Sequence, residues 1–439
     1  MKTVRFQEII ECSSQQSLLT GQAGFGIRTI TEGMDEKFAN SICEQVNCAY
    51  EVDIDKQVTA EEIARDAHIV KKYPRTLRYT TVKDDDGNTK YIVACSTYIG
   101  IDYGYFCGLN SARRAGTNYI ADILVFDEQP SSQLLYSLVS QHLFLPLDNT
   151  CSPDNPELKA LLTGEPSYLK PKEITITDYP KEAHAQDAGF IDEQTAFVGI
   201  ALLQAKLNEE SHQDSTLQKV VFQAEEAKVP SILKDFTVLP EELTEGKFFH
   251  TNYLQGYGMP KGYHVIFLNE NNQQEVYIDN YVYANLDEKT FKNVNATNRS
   301  FEQIKEAAID NNQELFLTFI LFALHGDLSF LVQYLSTHPF SEKTYKGINA
   351  VLMEYFSQKM NKDMQEGIDE VHQFEDRVGH EAFDSLNLNP LIHQYEQWLE
   401  EKAKKAAETN KASIKQPLLK KLCNSMKSLF RHPQEHPNK

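Results

Sequence analysis

Strand signals stop at Ser300. Before it, short runs of β-branched and aromatic residues alternate with helical patterns. After it, the stretches 301–308, 314–335, 342–360, 364–379 and 390–400 all repeat their apolar residues at helical spacing. A chain patterned in this way is predicted to fold as an α+β (mixed α/β) front half followed by an all-α helical C-terminal region. At 439 residues one ordinary core does not suffice. The expected division is an N-terminal α+β domain over 1–148, a middle α/β domain over 172–292, a helical domain over 300–400 and a basic tail over 401–439, with the Pro- and polar-rich 146–171 as linker.

Charge sorts the chain further. The formal net charge is -20, yet 401–439 carries ten Lys/Arg against three Asp/Glu, which leaves 1–400 at -27. So acidic a surface as a whole does not suit nucleic-acid phosphates, and no nucleic acid is expected as a partner. The tail interleaves Lys415, Lys420, Lys421 and Lys427 with apolar residues that include Leu422 and Phe430. A basic amphipathic helix of this composition suits an anionic membrane surface or an acidic partner.

Within the front half several local signals are legible. Val4, Phe6 and Ile9 mark a first strand, and Asp35 opens a helix through Phe38, Ile42 and Val46. Thr59-Ala60-Glu61-Glu62 reads as a capping box. Thr76–Thr81 and Tyr91–Tyr98 read as a hairpin across Asp84–Asn88, and 264–268 with 275–278 as another. Phe197–Leu207 reads as an amphipathic helix. Gly21 to Gly26 has the spacing of a phosphate cradle, but a strand rather than a helix follows it, so a hairpin or bulge is expected.

The most site-like stretch runs from Tyr98 to Phe126. Gly100, Gly104, Gly108 and Gly116 punctuate it, and Arg113 and Arg114 lie between the last two. Guanidinium forks suit carboxylate or phosphate recognition, and equally local carbonyls and carboxylates. These six residues are the expected binding loop. Cys107 beside the arginines is a candidate nucleophile, with His68 or His142 as base; a buried structural thiol is the plainer reading. The seven scattered cysteines include no C-x-x-C pair, and reduced, mostly buried thiols are expected. His184, Asp187 and Asp192, and His372, Glu375, Asp376 and His380, are the best metal-like groupings, each more simply a solvated face. No catalytic residue, metal or cofactor is assigned. The N-terminus lacks a secretory h-region, and the apolar run 315–324 is short of a span, so a cytoplasmic protein is expected.

Three stretches together resemble the GTPase-associated protein one family of bacterial conflict (immunity) systems. They are Leu18 to Gly26 with Thr31, Gly33 and Met34; Gly100 to Val125, with Asp102-Tyr103 and the R-x-G of Arg114 to Gly116; and Leu239-Pro240-Glu241-Glu242-Leu243 leading to Phe248 and Thr251-Asn252-Tyr253. The resemblance spans about 1–290 and rests on the order of the motifs. Asp122 stands where the family pattern carries a histidine, so no histidine-dependent role is implied. What the resemblance implies is a non-enzymatic adaptor or scaffold working beside a GTPase or another NTPase. Two alternatives follow from the residues: a hydrolase or nucleotide-processing enzyme using the 100–118 loop, and a membrane-associating effector acting through the tail.

Overall fold

The structure is a computed structural model. It describes every residue except 1, 51–56, 74, 110–117, 141–143, 145–153, 177–190, 225, 252–261, 269–277, 296 and 407–439. It forms two compact units, Met1–Gly326 and Asp327–Lys439.

The first unit begins with strands β1 (Lys2–Ser14) and β2 (Gly24–Thr31) and helices α1 (Glu36–Val46) and α2 (Ala60–Arg65). Asp35 caps α1, accepting from the Phe38 amide, and Thr59 and Glu62 close the expected capping box on α2. The hairpin β3 (Thr76–Lys83) and β4 (Thr89–Tyr98) follows, turned at Asp84, whose Oδ1 accepts from the Asp86 and Asn88 amides. The short helix α3 (Tyr103–Phe106) leads to β5 (Tyr119–Phe126), which is buried at every position. Then come α4 (Ser132–Ser140), α5 (Pro156–Thr163), β6 (Ser167–Leu169) and β7 (Lys172–Ile176).

Part of the expected linker is therefore structured. Asn155 caps α5 with Pro156 in its first turn, and Leu158 and Leu162 are buried. Arg28 fastens this helix: its Nε donates to Leu161 O at 2.6 Å and its Nη2 to Glu165 O at 2.6 Å. Proline at a helix start reads locally as a breaker, and only the cap before it reveals the helix.

The unit continues with α6 (Glu193–Glu210), β8 (Val220–Gln223), α7 (Val229–Val238), α8 (Glu241–Thr244), β9 (Phe249–Thr251), β10 (Val265–Leu268), β11 (Val282–Asn285) and β12 (Thr290–Lys292). The described strands form one mixed sheet in the order β12-β11-β8-β10-β9-β3-β4-β5-β1-β2-β6, with β7 on β1. Strands β9, β10, β8 and β11 are parallel, and β3 joins them to the antiparallel half through β9. The division expected at 148–172 therefore does not separate two sheets. β9 pairs antiparallel with β3 from far along the chain, so no local pattern announces the pairing. The hairpin expected between 264–268 and 275–278 is also excluded on the β10 side, because β8 and β9 occupy both edges of β10; 275–277 lie outside the described residues.

Helix α6 is not the amphipathic helix expected. Phe197, Val198, Gly199, Ile200, Ala201, Leu202 and Leu203 are consecutive and buried, so it is enclosed nearly all round. Helices α9 (Arg299–Ile309) and α10 (Gln313–His325) pack on it, within this first unit. The single helix expected over 314–335 is broken: Gly326 stops α10 at φ 63°, and α11 (Ser329–Thr337) starts afresh.

The second unit holds α11, α12 (Glu342–Lys362), α13 (Met364–Val378), α14 (His380–Leu386) and a further helix over 389–406. Ile348, Leu352 and Phe356 of α12 are buried, as are Ile368, Val371 and Phe374 of α13. From 299 to 406 the described chain is entirely helical in its regular structure, so the α+β front and the helical C-terminal region stand as read.

Candidate functional site

The expected binding loop is held at its neck. The amides of Ile99 and Gly100 donate to Asn118 O at 2.8 and 3.3 Å, and Asn118 Nδ2 returns a bond to Gly100 O at 3.1 Å. Gly100 has φ +71°, and a Cβ there would lie 2.6 Å from both Ile63 Cδ1 and Val58 Cγ2. Its glycine is demanded by packing and backbone, not by a ligand. Gly104 sits in α3, where its amide donates to the buried Asp102 at 2.9 Å. Gly108 has φ +71°, and among the described residues no atom lies within 4 Å of where its Cβ would be. Arg113, Arg114 and Gly116 lie outside the described residues, so the structure brings no cation to the described part of the loop.

Cys107 is exposed rather than the buried thiol of the plainer reading. It closes α3 through its own backbone amide. Among the described residues no hydrogen bond reaches its sulfur. His68 is exposed on the turn Ala67–Lys72, and His142 is outside the described residues. Cys12, Cys43, Cys48 and Cys95 are buried, as expected of structural thiols. Burial pushes the Cys12 thiol up to about 12, the neighbouring Arg28 opposing the rise.

Among the described residues the grouping of His372, Glu375, Asp376 and His380 does not assemble. Asp192 spends its carboxylate capping α6, and His184 and Asp187 are outside the described residues. His372 is exposed, while His380 Nδ1 is 2.9 Å from Glu375 Oε1 and its Nε2 3.6 Å from Asp384. The Glu375 bond and the Asp384 charge raise the imidazole above its ordinary value. Among the described residues no group of three or more His, Cys, Asp or Glu is poised to hold a metal. The contact residues expected in the tail, Lys415, Lys420, Lys421, Leu422, Lys427 and Phe430, are outside the described residues.

The structure shows a different concavity, an open groove of about 820 Å³ in the first unit. One wall is the turn from α7 into α8, which carries Leu239-Pro240-Glu241-Glu242, the L-P-x-x-L stretch noted above. Leu239 is seated against α6, where a Cβ on Gly199 would lie 3.0 Å from Leu239 Cδ2. The missing side chain at Gly199 lets the turn come in close. The opposite wall is α10, whose Gln313, Leu317 and Leu321 recur every fourth residue and so share one face. Gln129, just beyond β5, also lines the groove, with its Nε2 3.5 Å from Glu245 Oε1.

The groove is acidic at its rim and apolar between. Among the described residues its lining includes Glu241, Glu242 and Glu245 and no lysine or arginine. All three glutamates are exposed, and Glu242 Oε2 is 2.8 Å from His325 Nε2. Leu317 and Leu321 are half-buried. The motif was visible in the sequence. Its partner wall was not, because the α10 face meets it only through the packing of α9 and α10 on α6.

No protein-family model matches the chain, and no curated protein matches it.

Proposed function

We propose that this chain is a non-enzymatic adaptor of a bacterial multi-component defence system, working beside a GTPase or another NTPase. One observation carries the adaptor part of this reading: the L-P-x-x-L stretch forms a wall of an open groove that pairs apolar side chains with an acidic rim. Grooves of this size and composition take the apolar face of a partner segment. The NTPase partner and the defence setting rest on the sequence resemblance alone.

The test is a tagged capture from the native cell, read by mass spectrometry, with the full chain beside one ending at Glu400. A stoichiometric NTPase supports the reading, and its loss on truncation assigns the tail as a second contact. Recovery of no stable partner with either chain refutes it.

An enzyme is the second reading, and the exposure of Cys107 is what favours it. Cys107→Ser separates the two: a thiol-dependent enzyme loses its function, whereas an adaptor keeps partner capture at the level of the unaltered chain. The membrane reading predicts binding to anionic vesicles that disappears when 402–439 is removed.

A further inference from the structure

The helix over 389–406 extends past the packed part of the second unit. Within it only Leu391 is buried, and from His393 to Ala406 every residue is half-buried or exposed. Tyr395 ties it to α13, with its hydroxyl donating to Gln365 Oε1 at 2.8 Å. Tyr395, Trp398, Leu399, Lys402, Ala403 and Ala406 recur at spacings of three and four, so they share one face. Leu399 is 43% exposed. Tyr395 stacks on Trp398 with ring centroids 5.7 Å apart, and Lys402 Nζ lies 4.4 Å from the Trp398 centroid.

We infer that this face lies on an anionic phospholipid surface, with Trp398 and Leu399 at headgroup depth and the lysines that follow them against the lipid phosphates. The inference rests on the membrane reading for the pull of the basic tail, and adds the side chains that enter the interface.

The spacing of large residues favours lipid over a protein groove. A helix docked in a groove needs apolar anchors over about two turns, at i, i+3, i+4 and i+7. Past Leu399 this stripe offers only Lys402, Ala403 and Ala406, and Lys405 stands seven residues after Trp398. A lipid surface asks less, one shallow apolar contact joined to a basic segment. Tryptophan and tyrosine suit that depth because each joins an apolar ring to a polar tip. Lysine suits it too, laying its stem along the rings while its ammonium reaches outward.

Charge gives the surface its sign. Lys402, Lys404 and Lys405 follow Trp398 on the helix, and 407–439 adds seven Lys/Arg against two Asp/Glu. The glutamates of the helix fall off the stripe. Glu396 meets His393 at 3.1 Å, and Glu400 meets Lys404 at 3.9 Å. Basic residues beside an anionic leaflet are attracted over about a Debye length, so the tail brings the helix to the lipid and the aromatic pair holds it there.

Trp398 is the one tryptophan of the chain, so its fluorescence reports on this face alone. The test mixes the full chain with vesicles of phosphatidylcholine containing about one-third phosphatidylserine, and with vesicles of phosphatidylcholine alone. With the anionic vesicles, Trp398 emission is expected to move to shorter wavelength and to be quenched by lipids brominated on their acyl chains. With the neutral vesicles neither change is expected. In co-sedimentation, Trp398→Ser/Leu399→Ser should bind anionic vesicles about tenfold or more weakly than the parent. Ile309→Ser removes a comparable side chain, 59% exposed on α9, and should bind as the parent does. Far-ultraviolet circular dichroism on each variant ensures that a loss of binding is not a loss of fold.

Vesicle binding with unchanged Trp398 emission, and undiminished in the double variant, assigns the contact to 407–439 alone. That result overturns the inference and leaves the membrane reading standing. Absence of binding to anionic vesicles overturns both. Neither result touches the adaptor reading, which the cellular capture decides.

Discussion

Arg78 Nε donates to His250 Nε2 at 2.8 Å, across the register that joins β3 to β9. The same guanidinium donates from Nη1 to Asn47 O at 2.5 Å and from Nη2 to Ala49 O at 3.1 Å. Both side chains are buried, at 7% and 8% exposure. One arginine thus ties together the antiparallel half of the sheet, the parallel half and the segment leaving α1.

Removing it should be costly. Arg78→Ala leaves the buried His250 ring nitrogen and two partly exposed carbonyls without their donor, and a buried orphaned group costs about 1–3 kcal/mol, a partly exposed one less. The expected loss is about 2 kcal/mol or more, read as a lower urea midpoint. Arg78→Lys should recover little of it, because an ammonium on a flexible stem does not reproduce the planar fork.

The same contact makes stability depend on pH. Burial, reinforced by the Arg78 charge, lowers His250 from 6.5 to about 3. Its folded value lies below the unfolded one, so unfolding takes up a proton between them. The contribution of neutral His250 is complete above pH 6.5 and is lost as pH falls toward 3, at up to about 1.4 kcal/mol per pH unit. Urea midpoints taken between pH 7 and 4 should fall more steeply for the parent than for His250→Gln.

Glu11 has the opposite sign. Burial raises it from 4.5 to about 7, so the folded state holds a proton that the unfolded state has released. Its contribution is present below pH 4.5 and is lost as pH rises through 7. Glu11→Gln should therefore stabilise the chain by about 1–2 kcal/mol at pH 8 relative to its effect at pH 4. Paired denaturation curves at the two pH values check this.

Gly100 and Gly108 separate packing from backbone strain. Both have φ +71°, but among the described residues a Cβ would strike neighbours only at Gly100, at 2.6 Å. Gly108→Ala should cost about 1 kcal/mol, the usual penalty of the left-handed region. Gly100→Ala should cost at least about twice that, because Ile63 and Val58 must also move. Thermal melting of the two variants gives the comparison.

Arg28 predicts a local effect. Its donors hold Gln16 O, Leu161 O and Glu165 O, which fixes the C-terminal end of α5. In Arg28→Met the amides of 157–163 should exchange hydrogen faster while those of the β3–β4 hairpin keep their protection. Uniform loss of protection in both would contradict a local clamp.

Much of the fold was legible where the signal is local. Asp35 and Thr59 announced their helices, Asp84–Asn88 announced the hairpin, and the loss of strand patterning after Ser300 announced the helical end. The β3–β9 pairing was not legible, because Arg78 and His250 lie 172 residues apart and short buried strands carry no register signal. Helix α6 was misread for a related reason: enclosure on all sides erases the polar face that periodicity detects. The candidate groove was half legible. Leu239-Pro240-Glu241-Glu242 stood out in the sequence, but the facing stripe of Leu317 and Leu321 reads as ordinary core until α10 is placed.

The central claim is that partner segments dock in this groove. The most direct measurement is quantitative mass spectrometry of what co-purifies from the native cell with the full chain and with Leu317→Asp/Leu321→Asp, after both are shown to be folded. The account predicts a stoichiometric NTPase with the parent chain and at least about a tenfold loss of it with the variant. Equal recovery with both would contradict it.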